Sequence, residues 1–511
     1  MTTTPRLLNF PDLFVGDDAA TRLEGRCSPR NRPILALRDD RATVLSWAQR
    51  PGAGAPLALS ITVAIDTKGM AEAGGPEREI HVYAGKGEGT LVAQHVVQYE
   101  DPYQVLLIPL SLPQAQPAAA DAAEPLILRL QLRPGDGVLW IFAPDRHTAT
   151  PGLGGGSEYH LPHLVAVGAP LSEDAAAAAV LDRLFSLASL QSFSWKEGCV
   201  LDALLALHKS GGHPRALPAI LAHLDAYGFR SGPDGKPGAL SYENPRSVLM
   251  ENQLDTIEST LPFAIIAEIA PGHPWLRIAL DFWRQRMEKH GSVHDGGMFS
   301  SEGAYTVAYP MAAIGRLRGD DSLARQAQDL LLETDRQLIQ LEGVATRAPH
   351  AEPGIYLRHY ADGRLTHRNW ARGLAWLMLG HVQTLLHVRE RDPEVVAQLL
   401  VIAQFAAKHQ RPDHLWSCYV HQPHQPAECA GSAGIAAAMA LGAEHGLLPC
   451  PEFRHRAEAA RAALLQHVSP QGFLQGCSQS NKAGEDLQRS NYRVTTPYAS
   501  GLLGLLEVTL G

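Results

Sequence analysis

The chain contains no block of basic residues. Lys and Arg total 44 against 53 Asp and Glu, a formal net charge of −9. That balance argues against a face built for duplex nucleic acid. It does not exclude an anionic ligand, because one arginine fork can hold a carboxylate. Cysteine is sparse and scattered. Cys27, Cys199, Cys418, Cys429, Cys450 and Cys477 stand singly, with no C-x-x-C pair. A structural zinc site is thereby disfavoured, and the cysteines read as small core residues in a reducing compartment. No apolar run is long enough to cross a membrane. The opening MTTTPRLLNFPDLFVGDD lacks the charged-then-apolar order of a signal peptide, so a cytoplasmic protein is expected.

What is present divides into two textures. With 511 residues, the chain exceeds one ordinary core, and two domains are expected, 1–170 and 171–511. In the first, LALSITVAID, EIHVYAG, TLVAQHVVQY, YQVLLIPLSL, LILRLQLR and VLWIFAP are β-branched or alternating runs broken by Gly, Pro and Asp. This is the pattern of an antiparallel β-sandwich-like domain. Residues 113–125 read as a long exposed hairpin loop, and the Gly-rich 148–162 as a connector or rim. From residue 173 onward the period becomes helical. Twelve helices are expected, at 173–190, 194–210, 214–227, 246–269, 274–289, 303–318, 322–341, 370–389, 393–409, 430–445, 451–467 and 497–509. GHP, GDD, DP and CP turns fall between partners, where a proline at the first helical position suits the missing N–H. Short turns alternate with long loops, which describes stacked helical hairpins with a loop-built face. The fold class expected is therefore α+β multidomain, a β-sandwich-like domain followed by an (α/α)6 barrel.

The long loops collect the chemistry. Asp255 and Glu302 are carboxylates at helix starts, and Tyr305, His359, Trp370, Arg372, Trp376 and Arg493 share the expected face. Aromatic faces stack on a pyranose, carboxylates protonate or bind its oxygens, and an arginine holds a sugar carboxylate. Each residue also has a plainer reading. Asp255 could be a first-turn acid, and Glu302 could serve the helix dipole behind a Ser300 or Ser301 cap. Arg372 and Trp376, four apart, share a helix face, so they could equally be a solvated arginine over a core tryptophan. His359, His367 and His381 are irregularly spaced and read as solvated loop histidines rather than metal ligands.

The segment NWARGLAW (369–376) resembles the W-x-R-G-x-x-W motif of the unsaturated uronyl hydrolases, glycoside hydrolase families 88 and 105. IYLRHYADG, AECAGSAGIAAAMALG and NYRVTTPYASGLLGLLE are similar to neighbouring family segments, so the resemblance covers most of 190–511. It implies an (α/α)6 barrel and removal of a terminal Δ4,5-unsaturated uronic acid from lyase-derived oligosaccharides. The implied chemistry is acid-catalysed hydration of a vinyl ether, with no metal and no organic cofactor. LDTIESTLPF resembles the segment of one family aspartate, placed at Asp255. FSSEGAY resembles the segment of the acid/base, where Glu302 replaces the usual aspartate and serine replaces the preceding tryptophan. Arg372 and Trp376 match positions that contact the uronate. The partner implied is an oligosaccharide with a terminal uronate. Two alternatives stay open, an exo-β-glucuronidase on saturated uronosides and a non-catalytic glycan-binding protein. The β-domain could bind glycan, build a homodimer or shape the rim.

Overall fold

The computed structural model describes residues 10–15, 22–23, 25–48, 56–70, 75–112, 125–143, 160–342, 344–348 and 351–511. The loop expected at 113–125 and the connector at 148–162 lie almost wholly outside the described residues.

The N-terminal strands are β1 (Leu13–Val15), β2 (Arg22–Leu23), β3 (Arg26–Cys27), β4 (Ile34–Arg38), β5 (Thr43–Trp47), β6 (Leu57–Thr62), β7 (Glu77–Ala84), β8 (Thr90–Gln98), β9 (Val105–Leu110), β10 (Leu126–Leu132), β11 (Val138–Phe142) and β12 (His163–Ala166). They pair in antiparallel fashion throughout, in the orders β1-β5-β10-β7-β8, β12-β6-β9, β11-β4 and β2-β3. Alternation decides what each strand buries. Leu35, Leu37, Leu139 and Ile141 of β4 and β11 enter a core shared with Leu128, Leu130 and Val82 of the five-stranded sheet. The intervening Ile34, Ala36, Val138, Trp140 and Phe142 enter the core of the helical part. Side chains on a strand point to opposite faces in turn, so these two strands are buried on both. The N-terminal sheets are thus fused to the helices through one continuous apolar layer.

The helices are α1 (Glu173–Leu184), α2 (Trp195–Lys209), α3 (Ala216–Asp225), α4 (Pro262–Ile269), α5 (Leu276–His290), α6 (Tyr309–Arg318), α7 (Asp321–Leu338), α8 (Ala371–His387), α9 (Pro393–Lys408), α10 (Cys429–Glu444), α11 (Glu452–Leu465), α12 (Glu485–Arg489) and α13 (Pro497–Leu510). Six of them form a closed ring in which α2, α4, α6, α8, α10 and α13 each pack on the next, and α13 returns to α2. Outside it, α3, α5, α7, α9 and α11 each cover the ring helix before them, and α1 covers α13. Composition explains who is inside. Helix α10 is apolar or small all round and buried from Cys429 to Ala443, as a helix without a polar face must be. Its Gly431 and Gly434 admit α8 so closely that an added Cβ would stand 2.7 Å from the Cβ of Ala371 and of Ala375.

One expected helix is not there as such. Over 246–269 the chain instead forms strand β14 (Leu249–Glu251), paired with the preceding β13 (Ser241–Glu243), a 3₁₀ turn at Ile257–Thr260, and then α4. The Asn244 side chain accepts the N–H groups of Arg246 (2.9 Å) and Val248 (3.1 Å), and Ser247 and Asn252 have positive φ. A side chain that binds the following backbone competes with helix formation.

Candidate functional site

A cleft of about 430 Å3 opens where the ring meets the N-terminal sheets, within the range that holds a drug-sized ligand. Glu302, Trp370, Arg372 and Trp376 line it. Asp255, Tyr305, His359 and Arg493 do not.

Four acids line the cleft, Asp66 and Asp101 from the N-terminal part and Glu302 and Glu258 from the helical part. Glu258 sits on the 3₁₀ turn before α4, where Thr256 Oγ1 accepts the Glu258 N–H at 3.3 Å. Glu302 follows the short strand Phe299–Ser300. The Ser300 hydroxyl donates to Glu302 Oε2 at 2.7 Å and accepts the Glu302 N–H at 3.2 Å. The Thr260 hydroxyl donates to the Thr306 carbonyl, tying the two segments together. Both glutamates are buried, yet their surroundings push them apart. Glu302 lies 3.2 Å from Arg358 Nη2, and Asn481 Nδ2 donates to it at 3.3 Å. Burial alone would raise its pKa, but Arg358, Ser300 and Lys482 outweigh burial and hold the carboxyl below its ordinary range. Among the described residues the Glu258 carboxyl has no hydrogen-bond partner, and its nearest cation is Lys482, 3.9 Å away. Burial pushes its pKa up, Lys482 opposes, Glu302 adds to the rise, and the net shift is upward. Two carboxyls whose pKa values are pushed in opposite directions in one cleft are the arrangement from which an acid and a base are drawn.

The aromatic wall comes from α2 and α8. Trp195 is half-buried, with its ring centroid 5.1 Å from Trp376 and 4.6 Å from Tyr498. Behind Trp376, the Tyr305 ring lies parallel at 6.1 Å. Its hydroxyl donates to buried Asp202 Oδ2 at 2.5 Å, and Tyr309 and Gln383 donate to the same carboxyl. Tyr305 therefore backs the wall and does not reach a ligand.

Arg372 has a different task from a free clamp. Its Nη1 donates to Glu428 Oε1 (3.1 Å), Ser478 O (2.7 Å) and Ser478 Oγ (2.7 Å), and its Nη2 donates to Gln479 O (2.7 Å). The guanidinium also stands 4.3 Å over Trp370, whose Nε1 donates to Gln488 Oε1 at 3.2 Å. Glu428 in turn accepts from the N–H groups of Gly431 and Ser478, capping α10. Through Nη1 and Nη2 together, Arg372 fixes Ser478–Lys482, the loop that brings Asn481 to Glu302.

Asp255 is half-exposed beside the cleft, its N–H bonded to the Tyr242 hydroxyl at 3.2 Å. Three residues along the same turn, Glu258 takes the inward position. Arg493 spends its guanidinium on the carbonyls of Pro426, Ala427, Ser490 and Tyr492. His359 is half-exposed and displaced by its strand pairing with Phe299, while its neighbour Arg358 points to Glu302. His367 and His381 are buried, not solvated, and His381 Nε2 pairs with Asp335 at 2.9 Å. Of the cysteines, Cys450 is exposed and Cys27 half-buried, and the other four are core residues. Among the described residues no group of His, Cys, Asp or Glu could hold a metal, and no helix is long and apolar enough to cross a membrane. Sequence reasoning missed Glu258, Arg358, Trp195 and Lys482. For Glu258 there was a signal in LDTIEST, two acids three apart at the head of an apolar helix.

Three solved structures are similar over 66% of this chain. A possible member of the GH105 family from Salmonella enterica serovar Paratyphi A has 18% identity, 94% of its own chain covered and a TM-score of 0.52. A possible GH105 member from Klebsiella pneumoniae gives 16%, 92% and 0.52, and the family 105 glycoside hydrolase of C. acetobutylicum 15%, 98% and 0.52. At these identities the likeness concerns the fold. No curated protein matches the chain. The sequence profile of Glycosyl Hydrolase Family 88 matches residues 178–509, nearly the whole helical ring, and the chain accordingly belongs to that family and is a glycoside hydrolase.

Proposed function

We propose that this glycoside hydrolase removes a terminal uronic acid, a Δ4,5-unsaturated uronyl residue, from lyase-derived oligosaccharides. The helical ring is read here as an (α/α)6 barrel and the N-terminal sheets as a β-sandwich-like domain, divided near residue 170. The observation that carries the chemistry is the pair of cleft carboxylates with opposite pKa shifts. Glu258, its pKa raised by burial, donates a proton to C4 of the vinyl ether. Glu302, kept ionised beside Arg358, stabilises the positive charge that develops at C5 and takes a proton from the water that adds there. The hemiketal so formed collapses and releases the remaining sugar. Trp195 and Trp376 form the stacking wall for the ring, and Lys482 is the cation nearest the acids that could meet the uronate carboxylate.

The test is the loss of ultraviolet absorbance as the conjugated double bond is hydrated. We expect Glu258→Gln and Glu302→Gln each to lower kcat by about 10²–10⁴-fold, the usual contribution of a positioned acid or base. Full activity in Glu258→Gln would remove it from the role of proton donor. Two carboxylates in one cleft also suit ordinary glycoside hydrolysis. Release of saturated glucuronic acid from an aryl glucuronide, with no absorbance loss on the unsaturated substrate, would assign the exo-β-glucuronidase reaction instead.

A further inference from the structure

We propose that the N-terminal domain builds the subsite for the leaving-group sugar, and that this subsite takes an anionic unit carrying carboxylate or sulfate. The inference deepens the reading above and rests on it for which sugar leaves. The wall facing the catalytic acids comes from segments outside the part matched by the family profile, namely Arg26, the turn Asp66–Gly69, and Tyr99 with Asp101. A saccharide whose terminal ring lies on Trp195 and Trp376 continues toward that wall.

The wall carries positive charge that its own acids do not cancel. Lys68 is neutralised by Asp66 Oδ1 at 2.7 Å and stands 4.2 Å over the Tyr99 ring. Lys196, at the start of α2, pairs with Asp101 and ties the helical ring to the wall. Among the described residues Arg26 has no carboxylate partner. Its guanidinium donates only to carbonyls, those of Gly25 (3.3 Å), Asp66 (3.2 Å) and Lys68 (2.9 Å). Arg246 is exposed at the cleft, and among the described residues its side chain makes no hydrogen bond or ion pair. In a chain of net charge −9, two uncompensated arginines in one cleft wall select a negative ligand.

Arg246 is placed there by bonds that cross between the two parts. The next residue, Ser247, accepts the Asp66 N–H on its hydroxyl and the Cys27 N–H on its carbonyl, both at 2.8 Å. Ser247 and Tyr99 both have positive φ, 57° and 56°. That conformation is strained for a bulky residue such as tyrosine, and strain of this kind persists where the surroundings hold it, often at ligand clamps.

The experiment measures calorimetric binding to Glu258→Gln protein of three disaccharides that share the terminal uronate and differ in the second sugar, neutral, carboxylated or sulfated. Turnover by the unmutated enzyme is followed on the same three. We expect the anionic second sugars to bind about tenfold or more tightly than the neutral one, the scale of one charge-assisted hydrogen bond. In the Glu258→Gln/Arg246→Ala double variant that ratio should collapse toward one, and Arg246→Lys should restore part of it. A preference for only one of the two anions identifies the group. Equal binding of all three, an equal loss on all three in the Arg246→Ala variant, or no binding of any would overturn the proposal. Absent turnover with the Arg246-dependent preference intact would instead remove the hydrolytic reading and leave the anion subsite standing.

Discussion

Replacing Arg372 with Met separates two roles for this side chain, a substrate clamp and a tether for the cleft loop. The guanidinium is buried, with 3% of the side chain exposed against 0% for Glu428. It makes four hydrogen bonds, three of them to Ser478 and Gln479. Methionine fills similar volume but leaves Glu428 ionised with only the Gly431 and Ser478 N–H groups. Breaking a buried pair on one side costs about 3–5 kcal/mol, a large share of the stability of most proteins. The Ser478–Lys482 loop carries Asn481, bonded to Glu302, and Lys482, beside Glu258, so kcat falls with the stability. Urea unfolding monitored by intrinsic fluorescence, with kinetics on the same samples, reads both effects. The Arg372→Met/Glu428→Gln double variant removes the stranded charge and should recover part of the lost stability. Arg372→Met with unchanged stability, unchanged kcat and a raised KM would refute the tether and restore the clamp.

Arg358→Met should move the acidic limb of the kcat/KM profile to higher pH, and the alkaline limb in the same direction, because Arg358 also holds down the Glu258 pKa. Arg358 is the main charge that keeps the Glu302 pKa low, and activity needs Glu302 ionised, so an unmoved acidic limb would contradict that role. Glu243 gives a prediction away from the reaction. Burial pushes its pKa up from 4.5 to about 7. The folded state therefore binds this proton more tightly than the unfolded chain, and the associated stability is complete below the unfolded value and lost as pH rises through about 7. The shift corresponds to about 3 kcal/mol. Glu243→Gln keeps the acceptor for the Arg30 N–H and should flatten the difference between urea midpoints measured at about pH 5 and about pH 8; an undiminished slope would show that other groups set it.

Local periodicity and punctuation determined most of the helical part. Eleven of the twelve expected helices occur where the 3.6-residue pattern and the Pro, Asp and Gly signals place them, because a buried stripe and its caps are encoded within each segment. Strands β6 to β11 were legible for the same reason. Strand β4 was not, since ILALR, buried on both faces, shows no alternation and depends on the helices it covers. NWARGLAW pointed to the family, as a local motif can. The tasks of its residues were decided elsewhere. Arg372 is engaged by Glu428 and Ser478, 56 and 106 positions away, and no local pattern records such partners. Glu258 and not Asp255 faces the cleft, on a 3₁₀ turn whose Thr260 hydroxyl bonds the distant Thr306 carbonyl. The charged wall joins Arg26, Lys68 and Arg246 across the two parts of the chain. Sequence spacing states what each segment can bury, and only the packing of distant segments decides which side chains are left free to meet a ligand.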